Sequence, residues 1–255
     1  FDKISQTRSQ KAFETALLQG GCCQVKGLVG SGMSFKLVSA FKNLNRTFLV
    51  VLDNAEQAAY HLNDFEQMLS KKEVLFFPAS FKEAYNPAAT DNANVLLRSE
   101  VLKKLSFSKK KKIIVTYPQA LFEKVISPHN LKRKTITIKM GDVLGLDFVN
   151  ETLFEYGFDR VNFVTQPGEF SVRGGIIDVF SFAYQHPYRI EFFDDEIESL
   201  RSFDVNTQLS ISPMDRIDLL PNTNEISFSE KRNSLIDSLP RNSTVVFNQL
   251  DHCLD

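Results

Sequence analysis

The sequence predicts an α/β fold with a parallel sheet, split by an inserted α+β domain with an antiparallel sheet. In the first half, short apolar strands alternate with helices, which is typical of a parallel sheet covered on both faces. After Pro128 the pattern changes to one amphipathic helix followed by strands and tight turns. The charge changes as well: residues 98–139 carry twelve Lys and Arg against two acids, and residues 141–204 carry thirteen acids against four Arg. These differences indicate two units with different roles.

The first half supplies the elements of the predicted parallel sheet. Helices are expected at residues 34–41, 55–69 (capped by Asp53 or Asn54) and 95–105. Strands are expected at CQVKGL (23–28), TFLVVL (47–52), EVLFFP (73–78) and KKIIVTYP (111–118). A glycine loop at residues 27–34 would then lie at the carboxyl end of the first strand, where such sheets bind ligands. The glycine loop, GLVGSGMS, makes this α/β unit resemble a degenerate P-loop domain, of the kind found in RecA and helicases.

The second half supplies the inserted domain. Its helix, LDFVNETLFEYG, is expected to end at Gly157. The expected strands are TITIKM (135–140), RVNFVT (160–165), PGEFSVRGG (167–175), IIDVFSF (176–182), YRIEFF (188–193) and IESLRSFD (197–204). From Ser212 onward, ISPMDRIDLLPN and TVVFNQL indicate a return to the α/β domain. The predicted domains are therefore residues 1–128, 129–211 and 212–255. The chain begins at Phe1 rather than Met and ends soon after TVVFNQL, so we expect it to be a fragment with the last domain cut short.

The glycine loop reads GLVGSGMS, which is a phosphate-binding loop of the form G-x-x-x-x-G-K-[S/T] without its lysine. The positions of this degenerate nucleotide loop are Gly27, Gly30, Gly32, Met33 and Ser34. Met33 offers no charge and no strong hydrogen-bond donor to a phosphate. Lys36 lies three residues further on and is expected to point elsewhere. We therefore interpret the loop as a turn into a helix and expect no ATP hydrolysis, no catalytic residue and no cofactor.

Several other motifs are assigned structural roles. Residues 194–196 (DDE) resemble the acidic end of a Walker B strand, but the strand pattern on both sides favours a hairpin turn. The lysine run at 109–112 is read as a solvated turn, because no aromatic residues alternate with it as in a single-strand binding surface. Four scattered histidines and three cysteines predict neither a metal site nor a disulfide framework. With no apolar run of ~18 residues, the composition favours a cytoplasmic protein without a membrane span.

One strand carries a candidate binding surface. In QPGEFSVRGG, the residues Glu169, Ser171 and Arg173 alternate with Phe170 and Val172. Arg160 could lie beside Arg173 if their strands pair. Two exposed arginines suit an acidic partner surface, because a guanidinium group binds carboxylates through two parallel hydrogen bonds. Two ordinary surface arginines would explain the pattern equally well.

A long motif resembles a known family. The stretch from GFDRVNFVTQPGEFSVRGGIIDVF to YRIEFFDDEIESLRSFDVNTQLS is similar to the inserted domain shared by UvrB and the bacterial transcription-repair coupling factors (Mfd). FFPASF, RSEVLKKL and IIVTYPQALFEKVISP extend the likeness into the first domain. UvrB keeps the lysine of its phosphate loop and inserts a tyrosine-rich hairpin, for which AYNPAATDNAN is too short. Both departures favour the amino-terminal UvrB-like module of the coupling factors. The alternative is a UvrB-type repair helicase or ATPase fragment that still binds nucleotide.

The resemblance implies a partner and its contact residues. The inserted domain of this family docks on UvrA, and the full-length protein would bind RNA polymerase and DNA through other domains that include an ATP-dependent motor. Arg160 and Arg173 match two of the arginines that make the UvrA contact, and the third falls on Ser171. Glu169, Phe170 and Phe180 are expected to add to the same surface.

Overall fold

A computed structural model of the chain describes residues 6–81, 91–222 and 232–249. In chain order, the helices are α1 (Arg8–Gln19), α2 (Gly32–Asn43), α3 (Ala55–Met68), α4 (Asn92–Phe107), α5 (Pro118–Phe122), α6 (Pro128–Lys134) and α7 (Leu146–Glu155). The strands are β1 (Phe48–Val51), β2 (Val74–Phe76), β3 (Ile113–Thr116), β4 (Val125–Ile126), β5 (Ile136–Lys139), β6 (Asp159–Arg160), β7 (Glu169–Arg173), β8 (Ile176–Val179), β9 (Tyr188–Phe193), β10 (Glu196–Phe203), β11 (Ser210–Pro213), β12 (Arg216–Leu219), β13 (Arg232–Asn233) and β14 (Thr244–Phe247). Of the helices in these ranges, none is long and apolar enough to cross a membrane.

The chain divides into two compact units. The first comprises residues 1–78, 109–122 and 239–255, and the second comprises residues 79–108 and 123–238. Residues 79–108, which the sequence pattern placed in the first domain, fall in the second unit here. The domain boundaries at 128 and 211 stay a prediction. Most of AYNPAATDNAN, and also His252 and Cys253, lie outside the described residues.

A four-stranded parallel sheet in the order β14-β1-β3-β2 forms the centre of the first unit. All four residues of β1 are fully buried, as expected for a strand covered on both faces. Asn54 caps helix α3 by accepting a hydrogen bond from the N–H of Gln57 at 2.9 Å. Since β14 pairs with β1 from the far end of the chain, the predicted return of TVVFNQL to the parallel sheet is confirmed.

The strand predicted at residues 23–28 does not form. Residues 21–30 contain no strand, and each of them is exposed. A strand within a parallel sheet needs a nearly continuous apolar run. Here Val25 and Leu28 are separated by Lys26 and Gly27 and lie 39% and 42% exposed. The expected strand before the glycine loop was therefore wrong.

The lysine run at 109–112 is only half solvated. Lys109 and Lys110 are exposed, as predicted. The Lys111 ammonium, however, donates to backbone carbonyl groups at the end of helix α2, including that of Leu44 at 2.9 Å. Lys112 is buried and donates to the carbonyl of Lys72 at 2.5 Å. Two of the four lysines therefore hold backbone carbonyl groups together, which a solvated turn would not require.

A six-stranded sheet in the order β11-β10-β9-β8-β7-β6 dominates the second unit. Its pairs are antiparallel except for β6 with β7, which run parallel. Helix α7 covers one face, where the Phe154 ring meets the Phe170 ring edge-on at 5.1 Å. Gly157 follows the helix with φ +74°, a left-handed conformation that stops it as predicted. The mixed α/β architecture with a parallel and a separate antiparallel sheet is thus confirmed, whereas kinship with RecA-like domains stays a prediction.

Three details of the second unit settle individual predictions. Residues 194–195 form the turn between β9 and β10, with Asp194 at φ +51°, so the DDE motif is a hairpin turn. RVNFVT forms a strand only at Arg160 and continues as a loop. Strand β11 joins the antiparallel sheet and β12 pairs with β5. The prediction that ISPMDRIDLL returns to the parallel sheet was therefore wrong.

Candidate partner-binding site on the antiparallel sheet

Arg173 ends strand β7 at a tight hairpin that leads into β8. Gly174, the next residue, has φ +58°, which a glycine adopts without strain. The Arg173 side chain is 42% exposed. It projects from the face opposite Phe170, because residues three apart on a strand point to opposite sides. Arg173 therefore lies on the sheet face that helix α7 leaves uncovered.

The Arg173 guanidinium is held by a buried carboxylate. Asp178 on β8 is 1% exposed and accepts a hydrogen bond from Arg173 Nη2. The same carboxylate accepts two hydrogen bonds from Arg189 on β9, at 2.7 Å from Nε and 2.9 Å from Nη2. The pKa of Arg189 is raised, chiefly by this hydrogen bonding to Asp178. Two cations thus share one anion, which orients Arg173 and leaves one positive charge for a partner.

Arg160 lies on the edge strand β6 and is exposed. Strand β6 pairs with β7, as the prediction required, but Arg160 is opposite Phe170 in the register. Arg173 is three residues further along β7, a distance of about 10 Å at the usual rise of a strand. Because paired residues on neighbouring strands point to the same face, Arg160 lies on the face of Phe170 and not on that of Arg173. The prediction that the two arginines lie side by side was therefore wrong.

The other residues expected on this surface are inside the fold. Phe170 and Phe180 are 0% and 6% exposed, and Glu169 is 9% exposed. Phe180 packs with Val164 and Phe203 in a small apolar cluster. Ser171, where the family's third arginine falls, is 1% exposed. The expectation that Glu169, Phe170 and Phe180 add to the outer surface was wrong, because all three side chains are buried between the sheet and the elements that cover it.

Glu169 instead fixes the loop between β6 and β7. Its Oε2 atom accepts hydrogen bonds from the backbone N–H groups of Thr165 (2.7 Å) and Gln166 (3.0 Å) and from the Thr165 hydroxyl (3.0 Å). Its Oε1 atom accepts one from the Gln166 amide at 3.1 Å. Burial alone would raise the pKa of Glu169, but these hydrogen bonds outweigh it and lower the pKa below its usual value.

The lowered pKa makes the loop sensitive to acid. A carboxyl group with a lower pKa in the folded state contributes stability above its unfolded pKa of about 4.3 and loses it as the pH falls through the folded value. We expect Glu169→Gln to lower the free energy of unfolding by about 1–2 kcal/mol at pH 7. The difference from wild type should shrink as the pH falls below about 4. Urea unfolding followed by circular dichroism at both pH values measures this, and a difference independent of pH would contradict it.

The glycine loop enters helix α2 without a preceding strand. Gly27 and Gly30 have φ +80° and +54°, and Gly32 is the first residue of the helix. Met33 is half-buried. The Lys36 ammonium donates to Ser9 Oγ at 3.2 Å and lies 5.0 Å from the centre of the Phe13 ring. Lys36 thus points towards helix α1, in agreement with its predicted direction.

The hydroxyl of Ser34 is already engaged. Ser34 is fully buried, and its Oγ lies 2.7 Å from Nδ1 of His61 on helix α3. Burial lowers the pKa of His61, although Asp64 and Asp53 act in the opposite direction. In a working phosphate loop the equivalent hydroxyl binds Mg²⁺. Here it ties two helices of the first unit together.

Asp178 and Arg189 were not among the predicted site residues. Each lies in a strand of mainly apolar residues, Asp178 in IIDVF and Arg189 in YRIEFF, and a charge on a buried strand needs a partner. Their order along the sheet, with Asp178 opposite Arg189, could not be known before the register of β8 and β9 was known. In the described ranges, no group of three His, Cys, Asp or Glu side chains is placed to hold a metal ion.

Comparison with known proteins identifies this part of the chain. Residues 136–224 match the family model described as the UvrB interaction domain. This segment is therefore similar to the UvrB interaction domain. It extends from β5 through the six-stranded sheet and β12, and it contains Arg160, Arg173 and the carboxylate of Asp178.

Sequence relatives extend the similarity beyond the UvrB interaction domain. The transcription-repair-coupling factors of Bacillus subtilis and Haemophilus influenzae are each 30% identical to this chain, over 196 and 198 residues, which are 76% and 78% of the chain. UvrABC system protein B of Thermotoga neapolitana is 24% identical over 225 residues, 84% of the chain. The chain spans 16% and 17% of the two coupling factors and 34% of the UvrABC system protein B. The resemblance to both protein groups is thereby confirmed.

Proposed function

We propose that this chain is a non-catalytic recruitment module that binds the nucleotide excision repair protein UvrA and thereby couples stalled transcription to DNA repair. In the whole protein, other domains would bind RNA polymerase and DNA and would supply an ATP-dependent translocase. The location would be cytoplasmic. UvrA would meet the face of the antiparallel sheet that carries Arg173 and would reach Arg160 around the edge strand β6.

One observation carries this proposal. Within the UvrB interaction domain, Arg160 and Arg173 are the predicted contact residues with exposed side chains, and Arg173 is oriented by Asp178. Arginine is enriched among the residues that contribute most to protein interfaces, because its planar group pairs with carboxylates. The experiment is a titration of purified UvrA with the purified chain by isothermal calorimetry. Saturable binding supports the proposal, and absence of heat at high micromolar concentrations would refute it.

The alternative function is a UvrB-type ATPase fragment that still binds nucleotide. The positive φ angles of Gly27 and Gly30 favour it, because a phosphate cradle uses such glycines. Three features oppose it: residue 33 is Met, no strand precedes the loop among residues 21–30, and Ser34 is bonded to His61. The sequence and geometry of the loop therefore favour the recruitment module over a nucleotide-binding fragment.

Restoring the missing lysine tests that alternative. We expect no ATP hydrolysis by the wild-type chain and none by Met33→Lys, because the Ser34 hydroxyl stays bonded to His61 and no strand holds the loop under the phosphates. Phosphate release in the presence of Mg²⁺ and ATP measures turnover. A control variant, Met33→Lys with His61→Ala, removes the His61 partner of the Ser34 hydroxyl, so that the effect of that hydrogen bond can be separated from the effect of the lysine. Turnover by the wild type would contradict the recruitment module.

A further inference from the structure

We propose that Phe163 is a second anchor of the docking surface and forms, with Arg173, a composite receptor for a partner segment that presents a carboxylate next to an apolar side chain. This inference rests on the proposed function, since UvrA is the partner that would carry the segment. Neither the family motif nor the strand pattern pointed to Phe163.

The first observation is the contact between the two side chains. The Cζ atom of Arg173 lies 5.3 Å from the centre of the Phe163 ring. A guanidinium at this distance from an aromatic ring is attracted by the ring's negative face. The attraction strengthens when water is excluded, as it is when a partner covers both groups. Partner binding and this contact therefore reinforce each other.

The second observation is that Phe163 is exposed on a loop that is itself fixed. Phe163 is 61% exposed, whereas its neighbour Val164 is fully buried against Phe180 and Phe203. The Glu169 carboxylate holds the next two residues of the loop by their backbone N–H groups. A partner can therefore cover the ring without first ordering the backbone, which lowers the entropic cost of binding.

The third observation concerns the hydrogen-bond donors of Arg173. A guanidinium has five N–H donors in a plane. In the described part of the chain, one hydrogen bond uses Nη2, towards Asp178. With Asp178 bound at Nη2 and the Phe163 ring 5.3 Å from Cζ, the remaining donors suit a carboxylate, which binds a guanidinium through two parallel hydrogen bonds. The exposed ring beside them suits an apolar side chain of the same partner segment.

Binding affinities of matched variants test the composite receptor. We expect Phe163→Ala to weaken UvrA binding roughly 10-fold, as for an aromatic anchor at an interface centre. Phe163→Tyr keeps the ring and should bind within about 3-fold of wild type. Phe163→Leu keeps the apolar surface but loses the ring face, and should fall between the two. The control is Phe148→Ala, an exposed phenylalanine of helix α7 on the other sheet face, which should bind like wild type.

Two further measurements separate this inference from the proposed function. In a double-mutant cycle, Phe163→Ala with Arg173→Ala should lose less affinity than the product of the single losses, because each group depends on the other. In solution, ring-current shifts of the Arg173 side-chain protons should disappear in Phe163→Leu, with or without UvrA. Loss of binding in Arg173→Ala with unchanged binding in Phe163→Ala overturns the Phe163 anchor alone. Absence of UvrA binding by the wild type overturns both.

Discussion

Replacing Arg160 by glutamate and Arg173 by alanine in one chain is expected to abolish measurable UvrA binding. Each arginine offers a charged planar group to the proposed interface, and such anchors commonly cost 2 kcal/mol or more when removed. Together they should weaken binding by at least about 100-fold, since each 1.4 kcal/mol is tenfold in affinity. Calorimetric titration of UvrA with the variant measures the loss.

Alanine rather than glutamate is appropriate at position 173, because a glutamate there would be next to the buried carboxylate of Asp178. Arg173→Ala leaves Asp178 with both hydrogen bonds from Arg189, so the fold should lose about 1 kcal/mol or less. Arg133→Ala, an exposed arginine on helix α6 of the same unit, is the matched control and should bind within twofold of wild type. Binding that survives the double variant would show that the surface around Arg173 is not the docking site.

The largest effect on stability is expected from Arg189→Leu. This change removes two hydrogen bonds to Asp178 and leaves a 1% exposed carboxylate whose remaining cation, among the described residues, is the half-exposed Arg173. Removing one partner of a buried ion pair costs about 3 kcal/mol or more, because the remaining charge stays desolvated. Urea unfolding monitored by circular dichroism gives the change in the free energy of unfolding.

Two further variants are compared with Arg189→Leu in the same unfolding measurement. Arg201→Leu breaks the ion pair with Glu191, in which the Arg201 and Glu191 side chains are 31% and 26% exposed. It should lower the free energy of unfolding by about 1 kcal/mol or less. Asp178→Leu combined with Arg189→Leu removes both buried charges and should recover part of the loss seen in Arg189→Leu alone. A double variant that is less stable than Arg189→Leu would contradict the account of Asp178 as a buried anion held by two arginines.

The strands of the parallel sheet could be predicted because their sequences are continuous apolar runs. TFLVVL, EVLFFP and KKIIVTYP contain β1, β2 and β3, and the apolar side chains of such runs can only be buried on both faces. The turn at Asp194 and Asp195 could be predicted for a similar reason, since two acids interrupt alternating strands. The strand predicted at CQVKGL was wrong, because it was inferred from the glycine motif that follows and the residues of CQVKGL themselves do not favour a buried strand.

The candidate site could be predicted only in part. The motif pointed to Arg160 and Arg173, and the alternation in EFSVR already put Phe170 and Arg173 on opposite faces, which argues against Phe170 as a surface residue. The burial of Glu169 depends on the conformation of the loop at residues 165–168, which no periodicity encodes. Likewise, Asp178 and Phe163 meet Arg173, and Arg189 meets Asp178, only through the pairing of β7, β8 and β9 and the path of the covering loop.

Site-specific cross-linking tests the docking of UvrA on this face most directly. The photoreactive residue p-benzoylphenylalanine replaces either Asn162, an exposed residue of the loop next to Phe163, or Phe148 on helix α7. After illumination of each chain with UvrA, denaturing gel electrophoresis reports covalent adducts. We expect an adduct from position 162 and none from position 148. Adducts from position 148 alone, or from neither position while the two proteins bind, would contradict docking through the Arg173 face.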